Sequence, residues 1–300
     1  MPHKICLYHL RIRFHRAAAP KTIDAPVVMS LGASGTEIDH DFLAWIFHQL
    51  CKSSGIDVAH GQDSVLVLPK ANCIGAIVIE AVIFDIDGTL VDSVDLHAEA
   101  WRVAFKKFGK DVGFDAVRSQ IGKGADQLLP VFLSSAELAQ FGKALDEYRG
   151  DLYKRDYLPK VKAFPKVREL FQRIRQDGKR IALASSAKGD ELKTYKAIAQ
   201  IDDLIHAETS SDSAEKSKPH PDIFDAALEE LGDVPRGHVI VVGDTPYDAQ
   251  AAHKAQLQTI GMLSGGWHEN DLREAGCSAI YRDPVDLLAN YENSPIADDE

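Results

Sequence analysis

Two aspartates spaced two apart, Asp85 and Asp87, follow the apolar run Ala81–Phe84 directly and precede Gly88. In an extended chain, residues two apart leave the same face, so both carboxylates converge on one point, and Gly88 then allows a sharp turn. Carboxylates that close repel unless a cation sits between them. A second acidic pair, Asp244 and Asp248, follows the apolar run 239–242. Ser185 ends a third run, 181–184, and Lys218 precedes Pro219 in a polar stretch. Acids and a hydroxyl that end apolar runs are the parts of a site where a cation and an anion meet, whereas a lysine in a polar loop reads by itself as solvated. The plain alternative for Asp85 to Asp92 is an Asp-Gly turn with Thr89 or Asp92 capping a helix.

These residues need elements to position them. Unalternated apolar runs bounded by turn signals read as strands buried on both faces of a parallel sheet, and such sheets place their ligands at the strands' C-terminal ends. Ser185 stands at such an end, where its hydroxyl and the N–H groups entering a helix at 191–199 suit an anion; Ser186 competes for that role, and Lys188 is placed for a distal anionic group. Val167, Leu170, Phe171 and Ile174 stripe a helix over Val167–Gln176, closed by Asp177 and Gly178. Pro221 and Asp222 open another helix, with Ile223, Phe224, Ala227, Leu228 and Leu231 on its apolar face. Asp248 enters an alanine-rich helix.

Between the first acidic pair and residue 164 the period is helical throughout. Leu96, Ala100, Trp101, Ala104, Phe105 and Phe108 line one helix ended by Gly109, and 127–133 and 137–153 repeat the pattern. One crossover needs far fewer residues, which predicts a separate all-helical cap over residues 94–163 inserted into a core of residues 77–93 and 164–290. Within the cap, Lys123 between Gly122 and Gly124 reads either as a loop cation offered to a ligand or as an ordinary surface lysine.

The string Asp-Ile-Asp-Gly-Thr-Leu after a hydrophobic strand resembles the first motif of the haloacid dehalogenase-like phosphohydrolases. The strand ending in Ser185 matches that family's second motif, Lys218 before Pro219 its third, and Gly-Asp-Thr-Pro-Tyr-Asp, with Asp244 and Asp248, its fourth. Four motifs in this order cover most of residues 77–284. The resemblance implies an α/β fold, a Rossmann-like doubly wound parallel sheet core with an inserted all-helical cap, as in the phosphoglycolate phosphatase and β-phosphoglucomutase branch. It implies Asp85 as nucleophile through an aspartyl phosphate, Asp87 as acid and base, Ser185 and Lys218 as phosphate-binding, and Lys216 as the rival of Lys218. Mg2+ is the implied metal, held by the Asp85 carboxylate, the Asp87 carbonyl and Asp244, since hard oxygen ligands at adjacent strand ends suit an octahedral cation. Asp248 orients Lys218 or metal-bound water, and Thr89 supports the loop and Asp87. Branches that cleave carbon–halogen or carbon–phosphorus bonds lack an acid two residues after the nucleophile, so Asp87 argues for phosphomonoesters.

The expected activity is therefore Mg2+-dependent hydrolysis of a small phosphorylated metabolite such as phosphoglycolate or a sugar phosphate. A phosphomutase is the alternative, because it shares all four motifs. A non-catalytic metal- or phosphate-binding module is expected to have lost one of Asp85, Asp87, Lys218 or Asp244, and none is missing.

A net charge of −11 argues against nucleic acid as a partner, which demands a positive surface. Cys6, Cys51, Cys73 and Cys277 lack paired spacing, so neither a disulfide framework nor a zinc site is indicated and a reducing, cytoplasmic setting fits. No run reaches the ~18 apolar residues of a membrane span. Residues 1–76 carry none of these motifs; up to Ile23 the chain is basic, with Lys4, Arg11, Arg13, Arg16 and Lys21 and no acid. This extension reads as an organelle presequence, an accessory segment with a helix at 41–50 and a strand at 65–68, or translation begun upstream of a start near Val78. The tail after Pro284 reads as solvated.

Overall fold

The computed structural model describes residues 78–210 and 215–297. All belong to one unit, Gly75–Glu300. The expectations for residues 1–76, including the helix at 41–50 and the strand at 65–68, lie outside the described residues.

Strand β1 (Ala81–Phe84) is wholly buried, as its four apolar residues require. A two-residue strand β2 (Val91–Asp92) leads into the helical insertion. There α1 (Val94–Lys107), α2 (Phe114–Arg118), α3 (Ala125–Phe132) and α4 (Lys143–Leu152) follow, with single π-helical turns at Leu138–Gly142 and Tyr153–Tyr157. The chain returns through β3 (Lys162–Ala163), which pairs antiparallel with β2. Then come α5 (Val167–Gln176), β4 (Arg180–Ala184), α6 (Gly189–Ala199), β5 (Ala207–Thr209), α7 (Asp222–Leu231) and β6 (Val239–Gly243). The chain finishes with α8 (Pro246–Lys254), β7 (Gln258–Met262), α9 (Glu269–Glu274), β8 (Ala279–Tyr281) and α10 (Pro284–Ala289).

Six strands form one parallel sheet in the order β5-β4-β1-β6-β7-β8. Phe84 lies level with Leu183 of β4 and Val242 of β6, so the C-terminal ends of the three central strands come out side by side. Alternate side chains feed two cores, as the pleat dictates. Val82, Phe84, Ile181, Leu183, Ile240 and Val242 meet Leu170, Phe171 and Ile174 of α5 and Leu192 and Tyr195 of α6. Ala81, Ile83, Ala182, Val239 and Val241 meet Ile223, Phe224 and Leu228 of α7 and Ala251 and Ala252 of α8. That is a doubly wound α/β core. The helical insertion has an apolar cluster of its own, centred on Trp101, Phe105, Val117, Leu128 and Leu145.

Two features depart from the sequence expectation. The tail after Pro284 is not merely solvated: it begins with α10, and Leu287, Tyr291 and Ile296 are buried in the core cluster beside α5. Isolated apolar residues in a polar segment carry no periodicity, so only the tertiary surface reveals them. The helical stretch at 137–153 is also interrupted, by the π turn at Leu138–Gly142.

Candidate active site

The site forms where β1, β4 and β6 end. Asp85 N donates to Val242 O at 2.9 Å, which holds the first acid against the neighbouring strand. Beyond it the backbone turns tightly: the N–H groups of Thr89, Leu90 and Val91 all converge on Ile86 O at 2.8 to 3.1 Å. Gly88 adopts φ +83°, and a Cβ there would lie 2.3 Å from Asp244 Oδ2, so only glycine lets this loop approach. Ser264 ties the same loop to the end of β7 by donating to Gly88 O at 2.6 Å.

Lys218 reaches this point from the loop before α7 and is fully buried. Its Nζ donates to Asp85 Oδ1 and, at 3.1 Å, to Ala184 O at the end of β4, and it lies 2.7 Å from Asp248 Oδ1. Burial alone would lower the ammonium's hold on its proton, but Asp248 and Asp85 outweigh it and hold Lys218 above its ordinary range. Its rival Lys216 is exposed, and its backbone N–H donates to Asp222 Oδ2 at 3.0 Å. Asp248 is oriented by Thr245, whose N–H and hydroxyl donate to Asp248 Oδ2 at 3.0 and 2.6 Å in a capping box on α8.

Asp244 is buried too, and its Oδ1 accepts from Thr89 Oγ1 at 3.1 Å while its Oδ2 has no hydrogen-bond partner among the described residues. Thr89 therefore bridges Asp85, at 3.3 Å, and Asp244 rather than supporting Asp87 as expected. The turn over Gly88 carries its hydroxyl toward the strand ends.

Oxygens of Asp85, Asp244 and Asp248 lie within 4.8 Å of one another. Three carboxylates face one ammonium there. Burial, together with the charges of Asp85 and Asp248, drives Asp244 well above the carboxylate range. Burial likewise pushes Asp85 up to about 7 against the lowering pull of Lys218, with Asp248 and Asp87 adding to the rise. An excess of buried negative charge, all on hard oxygen donors and including an orphaned carboxylate oxygen, is what a divalent cation such as Mg2+ offsets. The donor set fits that metal.

The Asp87 carboxylate stands outside this cluster. Its Oδ1 accepts from Ser93 Oγ at 2.5 Å and lies 3.0 Å from His97 Nε2. Burial works to raise Asp87, but the neighbouring His97, with Ser93 and Tyr195, overcomes it and holds the carboxyl below its usual range. His97 Nε2 is also 3.0 Å from the Tyr195 hydroxyl, which in turn lies 2.7 Å from the Tyr153 hydroxyl. Sequence reasoning missed these partners. The available signal was the four-residue spacing of Ser93 and His97 at the start of α1, which puts both on one face beside Asp87; Tyr153 and Tyr195 gave none, because they meet only through the fold.

Ser185 is buried at the end of β4, its hydroxyl accepting from Ala187 N at 3.0 Å. Ser186 instead donates to Gly122 O of the helical insertion at 3.4 Å, and Lys188 is exposed. Lys123 is occupied: it donates to Gln120 Oε1 at 2.6 Å and covers the Tyr247 ring at 4.5 Å. The insertion is fastened to the core beside the site. Gly124 N donates to Ser217 Oγ at 2.9 Å, Ser217 N to Asp126 Oδ2 at 3.1 Å, Tyr247 OH to Ser119 O at 2.7 Å and Arg118 to Gly265 O at 3.0 Å.

A parallel sheet with acids at its central strand ends, covered by a helical insertion, defines a class of hydrolases. Residues 82–262 match the family model of the haloacid dehalogenase-like hydrolases, and the chain belongs to that family. It is similar to a phosphorylated carbohydrates phosphatase of Thermotoga maritima, 29% identical over 70% of this chain and 96% of that protein. It is also similar to a phosphoglycolate phosphatase of Nitrosospira multiformis, 31% identical over 67% of this chain and 91% of that one. Among solved structures, a hydrolase from Pseudomonas syringae superposes with a TM-score of 0.66 at 27% identity, covering 72% of this chain and 99% of that chain. No helix among the described residues is long and apolar enough to cross a membrane.

Proposed function

We propose that this chain is a Mg2+-dependent phosphatase of small organic phosphomonoesters, acting through an aspartyl phosphate on Asp85. The observation that carries the reading is the buried Lys218 bonded to Asp85 and paired with Asp248, beside the unpartnered oxygen of Asp244. The names of the relatives, a phosphorylated carbohydrates phosphatase and a phosphoglycolate phosphatase, support the substrate class.

Asp85, Asp244 and the Asp87 carbonyl are the residues that would hold the cation, with Asp248 beside them. When bound, Mg2+ offsets the negative charge of the carboxylates and of the phosphate. Lys218 neutralises part of the same charge, and Ser185 with the N–H groups that follow β4 offers donors to the phosphate oxygens. An Asp85 carboxylate oxygen then forms a bond to phosphorus as the bond to the ester oxygen breaks. Asp87 gives its proton to the departing alkoxide; the approach of a dianionic phosphate favours that proton by raising the carboxyl's affinity for it. In the second half the Asp87 carboxylate takes a proton from water, whose oxygen attacks phosphorus, and Asp85 and inorganic phosphate are released. The helical insertion shields both halves from bulk water.

Phosphate release from a panel of phosphoglycolate, sugar monophosphates and sugar bisphosphates, with and without Mg2+, tests the reading. Turnover is expected only with metal, and Asp85→Asn is expected to abolish it. Movement of phosphate between sugar hydroxyls without release supports the mutase alternative instead, and no reaction of either kind removes the catalytic reading.

A further inference from the structure

Asp87 is held by a relay that none of the four motifs contains. From its Oδ1 the contacts run to His97 Nε2 at 3.0 Å, to the Tyr195 hydroxyl at 3.0 Å and to the Tyr153 hydroxyl at 2.7 Å. The His97 ring also stacks on Tyr153, centroids 3.8 Å apart and planes within 9°. Tyr195 and Tyr153 are almost wholly buried, so both hydroxyls were drawn from water to make these bonds. Burying two phenols only to pair them gains little when two phenylalanines would pack equally well. Their bonds matter for what stands at the end of the chain. His97 Nε2 lies within reach of the Asp87 and Tyr195 oxygens alike, so the tyrosine fixes the imidazole about its ring normal and thereby the carboxyl. The two tyrosines come from separate parts of the fold: Tyr195 from α6, which follows β4 of the sheet, and Tyr153 from the π turn at the end of the helical insertion.

We propose that Tyr195, backed by Tyr153, is a positioning residue for Asp87: through His97 and through Tyr195's own bond to the carboxyl, the hydroxyl pair fixes the carboxyl in the posture from which it hands a proton to the departing alkoxide. This rests on the acid role given to Asp87 above. The bonds at Oδ1 set the plane of the carboxyl and leave proton exchange to Oδ2. Through Tyr153, that posture is tied to the helical insertion.

The test uses two esters that differ in their need for an acid. The alkoxide leaving from 2-phosphoglycolate must be protonated, whereas p-nitrophenolate leaves p-nitrophenyl phosphate without help. kcat/KM reads each reaction only as far as departure of the alcohol, so the hydrolysis half does not blur the comparison. Tyr195→Phe is expected to lose about tenfold in kcat/KM on 2-phosphoglycolate, the worth of one positioning hydrogen bond, and at least about fivefold less on the aryl ester. Tyr153→Phe should show the same split, smaller. In the Asp87→Asn background, Tyr195→Phe should cost nothing further on either ester.

An equal loss on both esters makes Tyr195 merely structural and overturns the proposal, as does an undiminished 2-phosphoglycolate reaction or full additivity with Asp87→Asn. If Tyr195→Phe does not fold, Tyr153→Phe decides, and a loss independent of the ester overturns the inference. Failure of the underlying reading looks different: Asp87→Asn itself then fails to distinguish the esters, or the unaltered enzyme hydrolyses neither, and the inference falls with it.

Discussion

Gly265 is a residue whose side chain, if it had one, would land on Asp244, an acid we propose as a metal ligand. A Cβ there would sit 1.7 Å from Asp244 Oδ2, the buried oxygen without a hydrogen-bond partner. Gly265→Ala must open that gap to 3.0 Å or more. The alanine meets no conformational obstacle of its own, because Gly265 is not among the positive-φ glycines. Asp244 is hemmed in by Gly88 and fastened by Thr89, so the strain falls on the carboxylate or on the loop after β7. Overpacking of this kind costs about 1 to 3 kcal/mol in stability. A Mg2+ site tolerates little displacement of an oxygen, and disturbing the surroundings of a ligand typically weakens binding by about 10- to 100-fold, or about 1.4 to 2.7 kcal/mol. A Mg2+ titration of phosphatase activity, paired with thermal unfolding with and without Mg2+, measures both effects. The half-activating concentration should rise at least about tenfold while saturating metal recovers much of kcat. Gly237→Ala, where a Cβ meets nothing within 4 Å, is the control. A Gly265→Ala enzyme with an unaltered Mg2+ dependence would refute the placing of the cation at Asp244 Oδ2.

Three further outcomes follow from the same geometry. Lys218→Met keeps the buried stem but leaves Asp85 and Asp248 facing each other unpaired; denaturant unfolding should show a loss of about 3 to 5 kcal/mol in the metal-free protein, partly restored by Mg2+, and equal stability would count against the ion pairs. Because burial pushes Asp85 up to about 7, the folded metal-free chain binds more protons than the unfolded one between the ordinary carboxylate range and neutrality. Its stability should therefore fall as pH rises from about 5 to about 8, and saturating Mg2+ should flatten the trend; a metal-free Tm that rises over that interval would contradict the burial argument. Ser217→Ala removes the acceptor of Gly124 N and a partner of Asp126, so hydrogen exchange at Gly124 should quicken at least about fivefold, and unchanged protection would show that the fastening is held elsewhere.

The centre of the sheet was legible because β1, β4 and β6 are short apolar runs whose character is local, and each delivers its polar residue at the strand end. The preference for Lys218 over Lys216 followed from the adjoining prolines, and the burial of one and exposure of the other agree with it. The outer elements were harder to read. Gln258 to Met262 carries only Thr259 and Ile260 as strand formers, diluted by Gln258 and Gly261, and its pairing with Ile240 to Gly243 completes what that short signal leaves weak. The sequence places Thr89 in the loop beside Asp87, but the turn over Gly88 decides where its hydroxyl points, toward Asp85 and Asp244. Lys123 looked available between two glycines, yet its charge rests on Gln120 and on the Tyr247 ring, a neighbour more than a hundred residues away in the chain.

The ribbon of Val91–Asp92 against Lys162–Ala163 brings the entrance and exit of the helical insertion together. For the sheet, the intervening chain is a closed loop whose ends are already joined, and the entropy of closing a loop grows only logarithmically with its length. Helices could be lengthened, shortened or exchanged between those ends at an entropic cost of about 0.6 kcal/mol per doubling without disturbing β1, so long as His97 and Tyr153 keep their places beside Asp87. The four-residue clasp thus separates two evolutionary problems, keeping a fixed reaction centre while the parts of the insertion that do not touch it are free to be rewritten.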